Sequence, residues 1–157
     1  MSTTVLPAHR SLAATSQRMA ENWLRNVFSP DLYTVLARDP KTVVPDGDYT
    51  PDITVVRAKP KTDAERLPVL VIDIEDADAA YDLAEQAGRT AATGVTEYWV
   101  LDVIARKLHI CRDPRPDADA PHGFCYKQVR VCSPNALVAP QVAELHLAQV
   151  IDLLPRE

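Results

Sequence analysis

No apolar run in this chain approaches the ~18–20 residues that span a bilayer, and the stretch from Met1 to Arg10 carries no secretory apolar core. There is no internal repeat and no Gly/Ser linker to divide it. These absences predict a soluble, cytoplasmic protein that makes no use of a membrane. They also predict one domain over 1–157, with residues 1–8 flexible. Cysteine is scarce. Cys111, Cys125 and Cys132 are an odd number without a Cys-x-x-Cys pair, which excludes a disulfide framework or a zinc ribbon and reads as three small apolar strand residues. His9, His109, His122 and His146 are scattered without His-x-x-x-His spacing, so zinc is not expected. A Walker loop, a Gly-rich dinucleotide fingerprint, a Gly-x-Ser-x-Gly elbow and His-Glu-x-x-His are all missing. Nucleotide-dependent, hydride-transfer, serine-hydrolase and zincin chemistries drop out with them. An EF-hand over 73–82 fails for want of the central Gly and the final Glu.

What is present is a globular composition: 157 residues, 46% hydrophobic and 25% charged. A chain of this size buries roughly 68–70% of its unfolded surface, enough for its own core. Seventeen basic against 22 acidic residues leave a net charge of −5, which argues against a protein that coats nucleic acid by charge alone. A contact with nucleic acid would have to be specific or metal-assisted. The acids are unevenly spread. Asp73, Glu75, Asp76, Asp78, Asp82 and Glu85 crowd one segment with no base before Arg89, either as a solvated face or as something more specific.

Thirteen prolines punctuate short elements. Over 10–28, Leu12, Met19, Trp23, Leu24, Val27 and Phe28 recur at helical spacing and predict an amphipathic helix stopped by Ser29-Pro30, its stripe laid on a sheet. Strands are expected over 32–38, 42–44 and 53–57. The run 67–75, Leu-Pro-Val-Leu-Val-Ile-Asp-Ile-Glu, reads as a central strand buried on both faces. A helix over 79–93 follows, with an Asp cap at 76 or 78, Gly94 as its stop and a small inward face of Ala80, Ala84, Ala87, Gly88 and Ala91. Asp82, Gln86 and Arg89 share another stripe. A hairpin over 96–104 and 107–112, a Pro- and Asp-rich loop over 113–123, a strand over 124–132 and an apolar tail turn over 150–154 complete an α/β chain of α+β character with a mixed sheet.

The chemistry concentrates in three acids. Side chains alternate along a strand, so Asp73 and Glu75 share the face of Val69 and Val71, and Asp52 closes a Thr-Pro-Asp turn just before the neighbouring strand. Carboxylates from adjacent strands can converge on a hard divalent cation, which lowers the pKa of its water and clamps a phosphate in transit. Each acid also has a plainer reading: Asp52 as turn chemistry, Asp73 as a partnered structural acid, Glu75 as a solvated strand end. Gln86 reads equally as a surface helix residue, Arg89 as the i+4 partner of Glu85, and Tyr98 and Trp99 as core aromatics before base-stacking platforms.

Pro51-Asp52-Ile53, the strand Val69 to Glu75, Tyr81-Asp82-Leu83, and above all Gly94-Val95-Thr96-Glu97-Tyr98-Trp99-Val100-Leu101-Asp102 resemble the Uma-two family of restriction endonucleases, a branch of the PD-(D/E)XK nucleases. The resemblance implies a restriction-endonuclease-like core, a mixed sheet flanked by an N-terminal and a central helix. It further implies a Mg²⁺ site, with Mn²⁺ as an alternative, on Asp52 and Asp73 with Glu75 assisting. Asp73 stands where the family usually has Glu, and the acidic 75–78 replaces its Ser-Pro-Ser loop. The helix lysine of the family aligns with Gln86 and the following tyrosine with Thr90. A lysine would orient the attacking water and offset developing charge, whereas glutamine can only orient. The catalytic set expected is Asp52, Asp73, Glu75 and Gln86, acting on DNA, with Arg57, Lys59, Lys61, Arg106, Lys107, Arg112 and Arg115 as candidate phosphate contacts and a homodimer as the assembly suited to duplex cleavage. The competing readings are a decayed nuclease fold kept as a nucleic-acid or protein binding module, and a small structural or regulatory protein.

Overall fold

Amphipathic spacing dictates the first element. In a computed structural model describing residues 8–38, 51–76 and 83–156, α1 (Ala8–Val27) presents Ala20 and Leu24 at an i+4 step, and Phe28 continues the stripe just past its end, all three buried. The expected strand at 42–44, residues 1–7 of the expected flexible segment and the first turn of the second helix lie outside the described residues. The chain continues through β1 (Tyr33–Ala37), β2 (Ile53–Arg57), β3 (Leu70–Glu75), α2 (Leu83–Ala92), β4 (Glu97–Asp102), β5 (Lys107–Pro116) and β6 (Phe124–Cys132). A small ribbon of β7 (Leu137–Val138) and β8 (Ala148–Gln149) and a 3₁₀ turn (Val150–Leu153) follow. No helix among the described residues is long and apolar enough to cross a membrane.

The main sheet runs β1-β2-β3-β4-β5-β6. β3 and β4 are parallel and the other neighbours antiparallel. A parallel pair needs a crossover, and α2 lies in it. Period-2 alternation then sorts the strands onto two faces. Ile53, Val55, Leu70, Ile72, Trp99, Leu101, Leu108 and Ile110 meet α1 and the tail residues Val150, Leu153 and Leu154. Val71, Tyr98, Val100, Cys111 and Tyr126 meet Ala87, Ala91 and Val95 on the other. Tyr98 and Trp99 are fully buried, so both act as core aromatics rather than exposed stacking platforms.

Some local expectations change. The loop expected from Asp113 is strand as far as Pro116. Beyond Arg112, β5 no longer has β4 beside it and pairs with β6 alone, and prolines are tolerated where no second ladder asks for their missing N–H. Asp113 adopts φ 63°, marking the point where β4 leaves off. On α2, Ala87, Gly88 and Ala91 face inward as expected, but Ala84 is exposed and Thr90 takes an inward place. All three cysteines lie on strands, and burial pushes the Cys111 thiol up to about 12, which leaves no nucleophile there.

Candidate active site

The acids sit at one end of the α2 face. Ile53 pairs with Ile72, so continuing that antiparallel register by one residue sets Asp52 opposite Asp73. Each binds the other's strand. The Asp52 amide donates to Asp73 Oδ1 at 3.1 Å, and the Ile74 amide donates to Asp52 Oδ2 at 2.7 Å. The remaining oxygens are held from either side: Tyr98 donates its hydroxyl to Asp73 Oδ2 at 2.6 Å, and Arg38 Nη2 reaches Asp52 Oδ1 at 2.7 Å. Asp52 is 9% and Asp73 8% exposed, a depth at which a charged carboxylate is stable only with such partners. Gln17 steadies the Arg38 end, its side-chain amide donating to the Arg38 carbonyl at 2.6 Å.

The same face carries more polar groups outward. Glu75 pairs with Asp102, which pairs with Lys107; in the adjacent row Asp73 pairs with Val100, which pairs with His109. Glu75, Asp102, Lys107 and His109 are all half-buried. His109 binds its proton less readily than an ordinary histidine, chiefly because of burial, then because of the Lys107 charge, with Asp102 opposing. Its Nδ1 is buried without a hydrogen-bond partner, and so is Gln86 Nε2 on α2. The structure therefore brings Asp52 and Asp73 together with Glu75 one pair along. It places Gln86 on the helix of that face with a buried donor unused. Asp82 lies outside the described residues. Arg89 reaches Glu85 at 3.4 Å, the i+4 pairing expected. Among the described residues no three His, Cys, Asp or Glu side chains cluster so as to hold a metal ion.

Sequence reasoning missed Arg38 and the hydroxyl of Tyr98. Nothing in the spacing marks Arg38, but Tyr98 could have been found by parity, since it lies on the Val71 and Asp73 face once β3 and β4 are taken as parallel. It also missed the role of Glu97. That carboxylate is fully buried on the α1 face, where it accepts from Trp99 Nε1 at 2.8 Å, the Gln141 amide at 2.7 Å and Arg112 at 2.7 Å. Arg112 also donates to the Ala139 carbonyl and Arg106 to that of Pro155, so these two expected DNA contacts are bound to the chain's own tail.

None of the curated proteins compared matches the chain. A crystal structure of a putative nuclease of the DUF820 family from Anabaena variabilis superposes with a TM-score of 0.62 at 16% identity, covering 98% of this chain and 84% of that one. The likeness fixes the fold as the nuclease-like α+β arrangement, a mixed six-stranded sheet with two helices. The family model for Uma2, described as putative restriction endonuclease, matches residues 1–149. With its paired aspartates, Gly-Val-x-Glu-Tyr-Trp strand and mixed sheet, this chain belongs to the Uma2 family and is a nuclease-like protein.

Proposed function

We propose that this chain is a Mg²⁺-dependent endonuclease-like protein that hydrolyses phosphodiester bonds of DNA at the Asp52–Asp73 pair, with Glu75 assisting and Gln86 orienting water. The observation that carries the reading is the reciprocal bonding of the two aspartates, each anchored by an amide of the opposite strand. Such bonding holds two acids side by side where repulsion and burial both oppose them. The donor set fits a hard cation, because Mg²⁺ commonly takes only one or two carboxylates and completes its shell with water and substrate phosphate. When bound, Mg²⁺ or Mn²⁺ would polarise the phosphoryl group and acidify a water.

The chain's own groups account for the rest. Tyr98 and the Asp52 amide fix the orientation of Asp73, while Arg38 and the Ile74 amide fix that of Asp52. Gln86 Nε2, buried and unpartnered, is a donor suited to a positioned water. Glu75, on the Asp73 face, can accept a proton from it. Exposed Arg57, at the end of β2, and Lys59 and Lys61, in the segment that follows it, remain as phosphate contacts. The setting proposed is the cytoplasm, and a homodimer would serve duplex cleavage.

The absence of lysine at Gln86 favours a second reading, a nucleic-acid binding module that no longer cuts. One experiment separates them. In the nuclease reading, Mg²⁺ elicits nicking of supercoiled plasmid that Asp73→Ala abolishes, and Ca²⁺ strengthens gel shifts without supporting the cut. A Ca²⁺-strengthened shift with no nicking in Mg²⁺ or Mn²⁺ sinks the nuclease reading in favour of the binding module.

A further inference from the structure

We propose that Lys107 supplies the positive charge that Gln86 cannot, its ammonium meeting the phosphate under attack from the β5 side of the sheet. The inference rests on the nuclease reading above. Register carries it: Glu75, Asp102 and Lys107 lie in one row across β3, β4 and β5, on the face that holds Asp73. Two strand spacings separate Lys107 from Glu75, about 10 Å between backbones, a gap that the flexible four-carbon stem of lysine narrows from its side.

The cation is also uncommitted. Of the other half-buried cations among the described residues, Arg38 is paired with Asp52, Arg106 bonds the Pro155 carbonyl, and Arg112 is paired with Glu97. Lys107 has no ion pair or hydrogen bond of its side chain among the described residues. Asp102, directly opposite in register, would be the obvious partner. Its Oδ1 instead accepts the Ile104 and Ala105 amides at 3.1 Å and 2.8 Å, which holds the carboxylate over the hairpin turn. A half-buried ammonium without a counter-ion is costly, and a phosphate carried into the site would relieve that cost. The charge acts on its neighbours in the intended direction, since it disfavours protonation of His109 on the same face.

In the step so served, the water oxygen forms a bond to phosphorus as the bond from phosphorus to the departing sugar oxygen breaks. The water's proton passes to Glu75 and then to solvent, and the departing oxygen takes a proton from solvent. Lys107 stays protonated throughout and offsets the charge gathering on the non-bridging oxygens.

The test measures Mg²⁺-dependent plasmid nicking together with Mn²⁺ binding by calorimetry, on the full chain. Lys107→Met should lower nicking by on the order of 10²–10³, while Mn²⁺ binds at least as tightly as before, because a like charge has been removed. Lys107→Arg should retain part of the rate, and adding Gln86→Lys to Lys107→Met should restore it. Asp73→Ala should lose both nicking and Mn²⁺ binding. If Lys107→Met nicks at the wild-type rate while Asp73→Ala is inert, the role given to Lys107 is overturned and the nuclease reading stands. If Lys107→Met loses nicking and Mn²⁺ binding together, Lys107 holds the site's structure instead, and the proposal is overturned. Folded wild-type protein that nicks nothing removes the nuclease reading, and the catalytic role of Lys107 goes with it.

Discussion

Every oxygen of the aspartate pair accepts a hydrogen bond: one from Arg38, one from Tyr98 and two from backbone amides. Such anchoring leaves neither carboxylate free to turn, which suits a site that must hold its shape as charge develops. The aspartates themselves were legible in the sequence, Asp52 from its Pro-Asp turn and Asp73 from an abrupt change of polarity within an apolar strand. Their partners were not. Arg38 lies 14 residues before Asp52, and only the β1–β2 pairing brings it back. Tyr98 was legible as a core aromatic but not as a donor, because its ring satisfies the packing pattern whatever its hydroxyl does. His109 yields a prediction at this scale. Burial and then the Lys107 charge hold its pKa below the ordinary 6.5, with Asp102 opposing, so the unfolded chain takes up this proton more readily than the folded one. Its contribution to stability is therefore fully present above 6.5 and is lost as the pH falls from there through the folded value. His109→Gln should flatten this part of the decline in urea midpoints on acidification; an unaltered slope would refute the assignment.

Helix α2 shows how little room an element needs to be fixed in place. Ala87, Gly88 and Ala91 bring it close to the sheet, and a Cβ added at Gly88 would stand 3.2 Å from the Phe124 carbonyl oxygen of β6. The stripe of small residues was legible because period 3.6 is visible in any sequence, whereas the exposure of Ala84 was not, since in the first described turn it is Leu83 that packs on the core of this face. Gly88→Val should cost about 1–3 kcal/mol through forced separation of α2 from β6, read as a lower urea midpoint. A midpoint equal to that of the wild type would show that the helix has slack. At the far edge of the same helix, Glu85 meets His122 at 2.8 Å, and that bond, opposed by desolvation, holds the Glu85 carboxyl below its ordinary range. The Pro- and Asp-rich stretch was correctly read as irregular only from 117 onward. Proline in 113–116 masked a strand, because an edge that pairs on one side tolerates it.

Across the whole molecule, the hairpins were the legible part, since their partners are close in sequence and carry turn residues between them. The placing of the tail was less so. Its apolar turn over 150–154 was expected to pack back on the core and does, tied there by Ser16, which donates to the Leu153 carbonyl, and by Arg106, which donates to that of Pro155, while the buried Glu97 accepts the Gln141 amide and Arg112 bridges Glu97 to the Ala139 carbonyl. One feature of the sheet also bears on time. Asp102 and Lys107 pair across a short turn, but Val71 must find Tyr98 across the whole α2 crossover to close the parallel ladder. Contacts of that separation carry the larger loop-closure cost and are expected late in folding. The bond from Tyr98 to Asp73 spans this ladder. Tyr98→Phe, which leaves a buried oxygen short of a donor, should cost about 1–3 kcal/mol, and the loss should appear mainly as faster unfolding with refolding nearly unchanged. A slowed refolding arm of equal size would place the ladder early instead. A late ladder makes the paired site a checkpoint: a nascent or partly opened chain carries its hairpins but not an anchored Asp73, so the aspartate pair takes its shape with the last closure and loses it with the first opening.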